Sequence, residues 1–154
     1  AVRKAFLSLE LDSSPAVKPR ASAGINPSPS GTLTLQTITM PADTNPFGDI
    51  FGGWVMSQMD IAGAIHANEV ACGRVATVAA GSMVFMRPVP VGAIISCYTS
   101  TLRIGNTSIR VKVEVWIKDF LTHQILQVTQ GEYVYVAINE LGQKRPVLQH
   151  REGQ

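Results

Sequence analysis

The chain has 154 residues and a mass of 16.6 kDa, room for one domain of ordinary size and no second core. Hydrophobic residues make up 45% and charged residues 16%, below the usual charged share of about a quarter, which excludes disorder as the main state and suits a wide core or an oligomer. The net charge of +2 is unevenly spread. Residues 1–30 carry Arg3, Lys4, Lys18 and Arg20 against Glu10 and Asp12, and residues 139–154 carry Lys144, Arg145 and Arg151 against Glu140 and Glu152. The stretch 31–138 is acidic by one charge, so no basic face for nucleic acid is expected on the folded part. No apolar run approaches the ~20 residues of a spanning helix. Cys72 and Cys97 form neither a CxxC nor a metal-ligand spacing, so no disulfide framework, no metal site and a reduced, cytoplasmic setting are expected.

Taken in chain order, residues 1–30 read as a flexible extension. Pro15, Pro19, Pro27 and Pro29 interrupt any helix, and Glu10 and Asp12 cut the apolar stretch that begins at Ala5 too early for a signal peptide. The folded domain is expected over 31–146, with 147–154 as a C-terminal tail. Leu33 to Thr39 alternates apolar and polar residues, a strand stopped by Pro41. Asp43 to Gly53 is turn-rich, with Asn45, Pro46, Gly48, Gly52 and Gly53. Trp54 to about Ala71 lacks proline and favours helix. Val75 to Met86 is rich in β-formers and is closed by Arg87-Pro88. From Arg103 to Ile117 the period is two, with Ile109, Val111, Val113, Val115 and Ile117 on one face and Arg110, Lys112 and Glu114 on the other. Ile104-Gly105-Asn106-Thr107 signals a tight hairpin, Gly-Asn tolerating the positive φ of primed turns. Gln124 to Ile138 supplies the last strand. One helix and long strands imply an α+β domain in which a curved antiparallel sheet wraps a single buried helix.

Asp60 is the one charged residue between Ile50 and Asn68. An apolar helix of this kind is expected to be buried, and a carboxylate inside it is either held by structural hydrogen bonds or put to work. Ala62, Gly63, Ala64 and Ala67 are small enough for another backbone to approach. Gly52-Gly53 either permits a turn or bares the first amides of the helix, where partial positive charge suits an oxyanion. Gly52 and Asp60 lie eight residues apart, roughly 12 Å along a helix, too far to act on one carbonyl within a chain. Two antiparallel helices about a two-fold axis would bring one chain's amide to the other's carboxylate.

The segment Asn45-Pro46-Phe47-Gly48-Asp49-Ile50-Phe51-Gly52-Gly53, followed by Asp60, resembles the signature of hotdog-fold acyl-CoA thioesterases, in particular the YciA-type branch. The stretches GRVATV, FMRPVPVG, IGNTSIRVKVEVW and the closing Tyr133 to Ile138 run are similar too. The resemblance implies a long helix wrapped by an antiparallel sheet, a homodimer with shared sites, often a hexamer of three dimers, and hydrolysis of fatty acyl-CoA without a cofactor or metal, coenzyme A being part of the substrate. It implies Asp60 as the catalytic carboxylate, Gly52 as the amide that polarises the thioester carbonyl, and Asn45 as the residue orienting water or substrate. Gly53, Ser82, Arg87 and the hairpin residues Asn106, Thr107 and Ser108 are the expected substrate and CoA contacts, with Arg74, Arg103 and Lys118 as weaker anion partners. Phe51 stands where many relatives have histidine, and Gly81 and Val84 replace residues that are acidic and polar in the branch. Asp60 would act as general base on water, or as a nucleophile through an anhydride. His66 is read as packing or a local hydrogen bond, Cys72, Cys97 and Met56 as core, and Trp54 as tunnel lining or interface filler. The competing readings are a non-catalytic acyl-CoA-binding module and, last, a dehydratase, which the absence of histidine before the helix disfavours.

Overall fold

A computed structural model describes residues 28–148; residues 1–27 of the extension expected over 1–30, and 149–154 of the tail expected over 147–154, lie outside them. Five strands and one helix are present: β1 (Thr32–Ile38), α1 (Gly52–Ala71), β2 (Val75–Ala80), β3 (Ile94–Ile104), β4 (Ser108–Lys118) and β5 (Ile125–Ala137). The run expected from Arg103 is split by the hairpin, with Arg103 and Ile104 closing β3, a strand whose start the sequence did not mark. A single 3-10 turn, Pro41–Asp43, leads into the loop before the helix. The strands form one antiparallel sheet in the order β1-β3-β4-β5-β2. Every strand touches α1. Long strands twist, and bulges at Leu33/Leu35, Thr77/Ala79, Thr101/Arg103 and Val115/Trp116 add curvature. This is the hotdog arrangement expected.

The period of two in β4 translates directly into burial. Ile109, Val111, Val113, Val115 and Ile117 are fully buried against the helix, where Val55, Met59, Ala62 and Ala67 meet them. On the opposite face Glu114 is also buried, because Ser30 crosses over it and donates to its Oε2 from the amide (2.8 Å) and hydroxyl (3.0 Å). At the other end packing continues one residue past the expected boundary: Val147 is buried and its amide donates to the Asn106 carbonyl.

Four expectations are corrected. Helix α1 begins two residues early, at Gly52, because Phe51 is extended and its carbonyl accepts from Trp54 and Val55. Regular pairing in the second strand stops at Ala80; beyond it the chain stays attached to β5 only at Gly81, Val84 and Met86. The hairpin is closed by the Gly105 amide on the Ser108 carbonyl, so Asn106-Thr107 occupies the turn, and no positive φ is needed at Gly105 or Asn106. Cys72 is exposed at the helix C-cap with φ 50°, and Met56 is exposed too; neither is core. Cys97 is buried as expected, which pushes its thiol up to about 12.

His66 ties the helix to β3, Nδ1 lying 2.9 Å from Thr99 Oγ1 and Nε2 2.7 Å from Thr101 Oγ1. Burial lowers its pKa below the usual 6.5, against a smaller upward pull from Glu69. The unfolded chain therefore takes the proton first. The folded state keeps its full margin above about pH 6.5 and loses part of it as pH falls toward the folded-state value. Thermal melts between pH 8 and pH 5 are expected to show a falling Tm in the wild type and a shallower fall in His66→Gln; equal slopes would remove His66 as the cause.

Candidate active site

Helix α1 has two unlike ends. At its C-terminus the Cys72 amide returns to the carbonyls of Asn68 and Glu69, Gly73 donates to Asn68, and Arg145 Nη2 caps the Ala71 carbonyl at 2.7 Å. At its N-terminus no side chain caps the helix, and no group among the described residues accepts from the amides of Gly52 or Gly53. A Cβ added at Gly53 would meet nothing within 4 Å, and one at Gly52 would rest against the Phe85 ring at 3.6 Å. Neither position has a positive φ. The fold of one chain therefore does not itself require glycine at these two places.

Asp60 lies on the side of α1 that looks toward β2 and β5. Thr77 and Tyr135 are directly opposed across those strands, and both reach the same carboxylate oxygen. Thr77 Oγ1 donates to Oδ1 at 2.7 Å, and the Tyr135 hydroxyl is 3.2 Å from Oδ1 and 2.8 Å from the Asp60 carbonyl. Oδ2 accepts from no group among the described residues. In one chain Asp60 is half-buried. The reason lies in the helix: Val55, Met59, Ala62, Gly63, Ala67 and Ala71 face the sheet, whereas Ile61 and Ile65 stand 47% and 42% exposed on the outer side. Of the four small residues, Ala62, Gly63 and Ala67 thus serve the chain's own sheet. A Cβ at Gly63 would overlap the Tyr135 hydroxyl, so glycine there is what lets the phenol reach Asp60.

Asn45 sits in the loop before the helix, half-buried. Its Oδ1 accepts from the amides of Phe47 (2.9 Å) and Asp49 (3.1 Å), which leaves its Nδ2 as the free donor. Arg87 belongs to this same end of α1: two residues before it the Phe85 ring lies against Gly52, and two residues after it Val89 accepts from the Ile50 amide at 2.8 Å. Arg87 is half-buried with Nε fully enclosed and without an acceptor, and desolvation lowers its pKa. The hairpin lies elsewhere. Met86 bonds to Val128 and Thr107 to Ala137, nine residues apart on β5 and thus roughly 30 Å along the strand. Within one protomer Arg87 and Asn106-Thr107-Ser108 do not meet. Trp54 packs against the core, and Arg74 donates to the Glu140 carbonyl at 3.3 Å. Ser82 is exposed and lines a different pocket, of about 300 Å³, with Lys112, Gln130 and Glu132; its neighbour Met83 turns the other way, onto Gly131 and Met59.

Thr77 and Tyr135 were not singled out from the sequence, and Gly63 was read only as small enough for another backbone to approach. No local pattern marks them, since their relation to Asp60 exists only across the β2–β5 pairing. Among the described residues no cluster of three metal-ligating side chains occurs.

The thioesterase superfamily matches residues 47–121 of this chain. The chain is 50% identical over 122 residues to the acyl-CoA thioester hydrolase YciA of Salmonella typhimurium, covering 77% of this chain and 92% of that protein. Among solved structures it is similar to the hexameric thioesterase y2039 from Yersinia pestis, with 47% identity, a TM-score of 0.75, and coverage of 79% and 99%. It is likewise similar to a hexameric broad specificity acyl-coenzyme A thioesterase determined as an aspartate-to-alanine variant, with 45% identity, a TM-score of 0.76, and coverage of 79% and 90%. Identity at this level over nearly the whole length of such proteins, on the same sheet and helix, places the chain in the thioesterase superfamily, in its hotdog-fold YciA-type branch.

Proposed function

We propose that this protein is an acyl-CoA thioester hydrolase that cleaves fatty acyl-CoA to a carboxylic acid and free coenzyme A, with no cofactor. The observation that carries the reading is Asp60: one oxygen accepts from Thr77 and shares the Tyr135 proton with the Asp60 carbonyl, and the other is left open on a half-buried helix face. Such a carboxylate is oriented as a general base. Oδ2 takes a proton from water as the water oxygen attacks the thioester carbonyl. The tetrahedral intermediate then collapses, the C–S bond breaks, and the proton held by Asp60 passes to the departing thiolate. The oxyanion needs donors, which the uncapped amide of Gly52 supplies with the helix dipole behind it. Gly53 keeps the approach clear, and Asn45 Nδ2 orients the water or the acyl carbonyl.

Eight residues of helix separate Gly52 from Asp60, so the amide comes from a second copy. The exposed apolar residues Ile61 and Ile65, one turn apart on the outer face, support this pairing, because apolar surface of this kind beside a reactive group gains from being covered. Three such dimers would make a hexamer, the assembly of the similar structures. Arg87, whose Nε has no acceptor among the described residues, is assigned to a CoA phosphate. The hairpin residues Asn106, Thr107 and Ser108 contact the nucleotide arm of a substrate bound by the other protomer. Ser82 is left out of the site.

Release of thiol from a panel of acyl-CoAs tests the reading. Wild type is expected to turn over at least one chain length, and Asp60→Asn to lose kcat by about 10² or more with substrate affinity and assembly retained. Tight acyl-CoA binding without thiol release by the wild type would instead support a binding module. A mixed-subunit experiment tests the sharing. Phe51 has φ −57° and ψ 134°, a conformation that accepts a following proline, and the first helical position tolerates one. Gly52→Pro therefore removes the amide while keeping the helix. Asp60→Asn and Gly52→Pro homo-oligomers should both be inactive, and co-assembled mixtures should regain activity. Failure of well-mixed oligomers to recover would place both groups in one chain's site.

A further inference from the structure

Tyr133 and Tyr135 lie on the same face of β5, their rings stacked at 21° with centroids 6.4 Å apart. Their hydroxyls donate to two helix carbonyls four residues apart, Met56 at 3.1 Å and Asp60 at 2.8 Å. The match is geometric: two residues of strand advance about 6.7 Å and four residues of helix about 6 Å. Both phenols consequently fit only one axial setting of α1 over the sheet, and a slip of one residue would unmake both bonds. Tyr135 goes further than its neighbour, because the same hydroxyl also lies within bonding distance of the Asp60 carboxylate.

Resting on the reading of Asp60 as the water-activating carboxylate, we infer that Tyr135 is a positioning residue for that reaction, one that clamps the main chain and the side chain of Asp60 together so that Oδ2 points at the substrate. Thr77 donates to Oδ1 from the β2 side, and Tyr135, whose one proton is shared between the Asp60 carbonyl and Oδ1, approaches the same oxygen from the β5 side; with both at one oxygen, rotation of the carboxylate is restricted and the other oxygen is the reactive one. Gly63 is part of the device, since any side chain there would occupy the place of the phenol oxygen. Desolvation, helped by the negative charge of Asp60, raises both phenols above their usual pKa of 10.0, Tyr133 to about 12, so each remains a protonated donor at neutral pH.

The test measures steady-state thiol release by the full-length chain in Tyr135→Phe, Tyr133→Phe, Asp60→Asn and the Asp60→Asn/Tyr135→Phe double variant. The expected result is a roughly tenfold lower kcat in Tyr135→Phe with KM within about twofold, as misplacement of a catalytic group produces, and a smaller loss in Tyr133→Phe. The double variant should be no slower than Asp60→Asn, because a residue acting through Asp60 has nothing left to position. Gly63→Ala keeps the phenol but displaces it; it should lower kcat as Tyr135→Phe does, and it reads the same contact should Tyr135→Phe not fold. Wild-type kcat in Tyr135→Phe or Gly63→Ala, alongside an inactive Asp60→Asn, would overturn this inference and leave the role of Asp60 standing. Losses that add in the double variant, or equal losses in the two tyrosine variants, would overturn it too. Full activity in Asp60→Asn would overturn the reading of Asp60 and this inference with it.

Discussion

The helix and the sheet are joined around one contact, the Tyr135 hydroxyl against Asp60, and much else in the molecule is arranged so that this contact is possible. It requires residue 63 to be bare, since a Cβ would overlap the phenol oxygen. It requires β5 to pair with β2 in the register that sets Tyr135 opposite Thr77, because only then do two hydroxyls converge on one carboxylate oxygen. A half-buried carboxylate without donors would be costly; with two, it is tolerated and oriented. The long strand, the edge pairing and the glycine notch are parts of one solution to placing an acid on an otherwise apolar helix.

The two ends of that helix are treated differently, and the difference follows from backbone hydrogen bonding. Every helix leaves unsatisfied amides at its start and carbonyls at its end. Here the end is closed by the αL turn at Cys72, the Gly73 amide and the Arg145 guanidinium, whereas the start is left with bare glycines and no cap. Closing one end and opening the other concentrates the helix's unsatisfied donors where Asn45, Phe85 and Arg87 also gather.

The outer face of α1 belongs to the same logic. A helix with apolar residues almost all the way round cannot be satisfied by a single sheet, which covers about half of it. Val55, Met59, Ala62 and Ala67 take the sheet side, and Ile61 and Ile65 are left outside. Part of the exposed apolar surface of the chain thus lies on this outer face, beside Asp60.

The sequence by itself determined the elements. The period of two from Ile109 to Ile117 and the proline-free stretch after Gly53 are local signals, and local sterics decide them, so strand order along the chain, the helix and the inward face of β4 were all legible. The lone Asp60 and the Gly52-Gly53 pair were legible as chemistry, because a charge in an apolar stretch and paired glycines at a helix start stand out without any structure. Only the tertiary structure decided how Asp60 is held and how far it is buried, since Thr77 and Tyr135 lie 17 and 75 residues away in sequence. It likewise decided that Gly63 serves a phenol of its own sheet, that Ser82 faces away from Asp60, and that Arg87 and the hairpin occupy opposite ends of β5. Each of these depends on pairing register and on which side of the sheet a residue emerges, and such long-range relations leave no periodic trace in the chain.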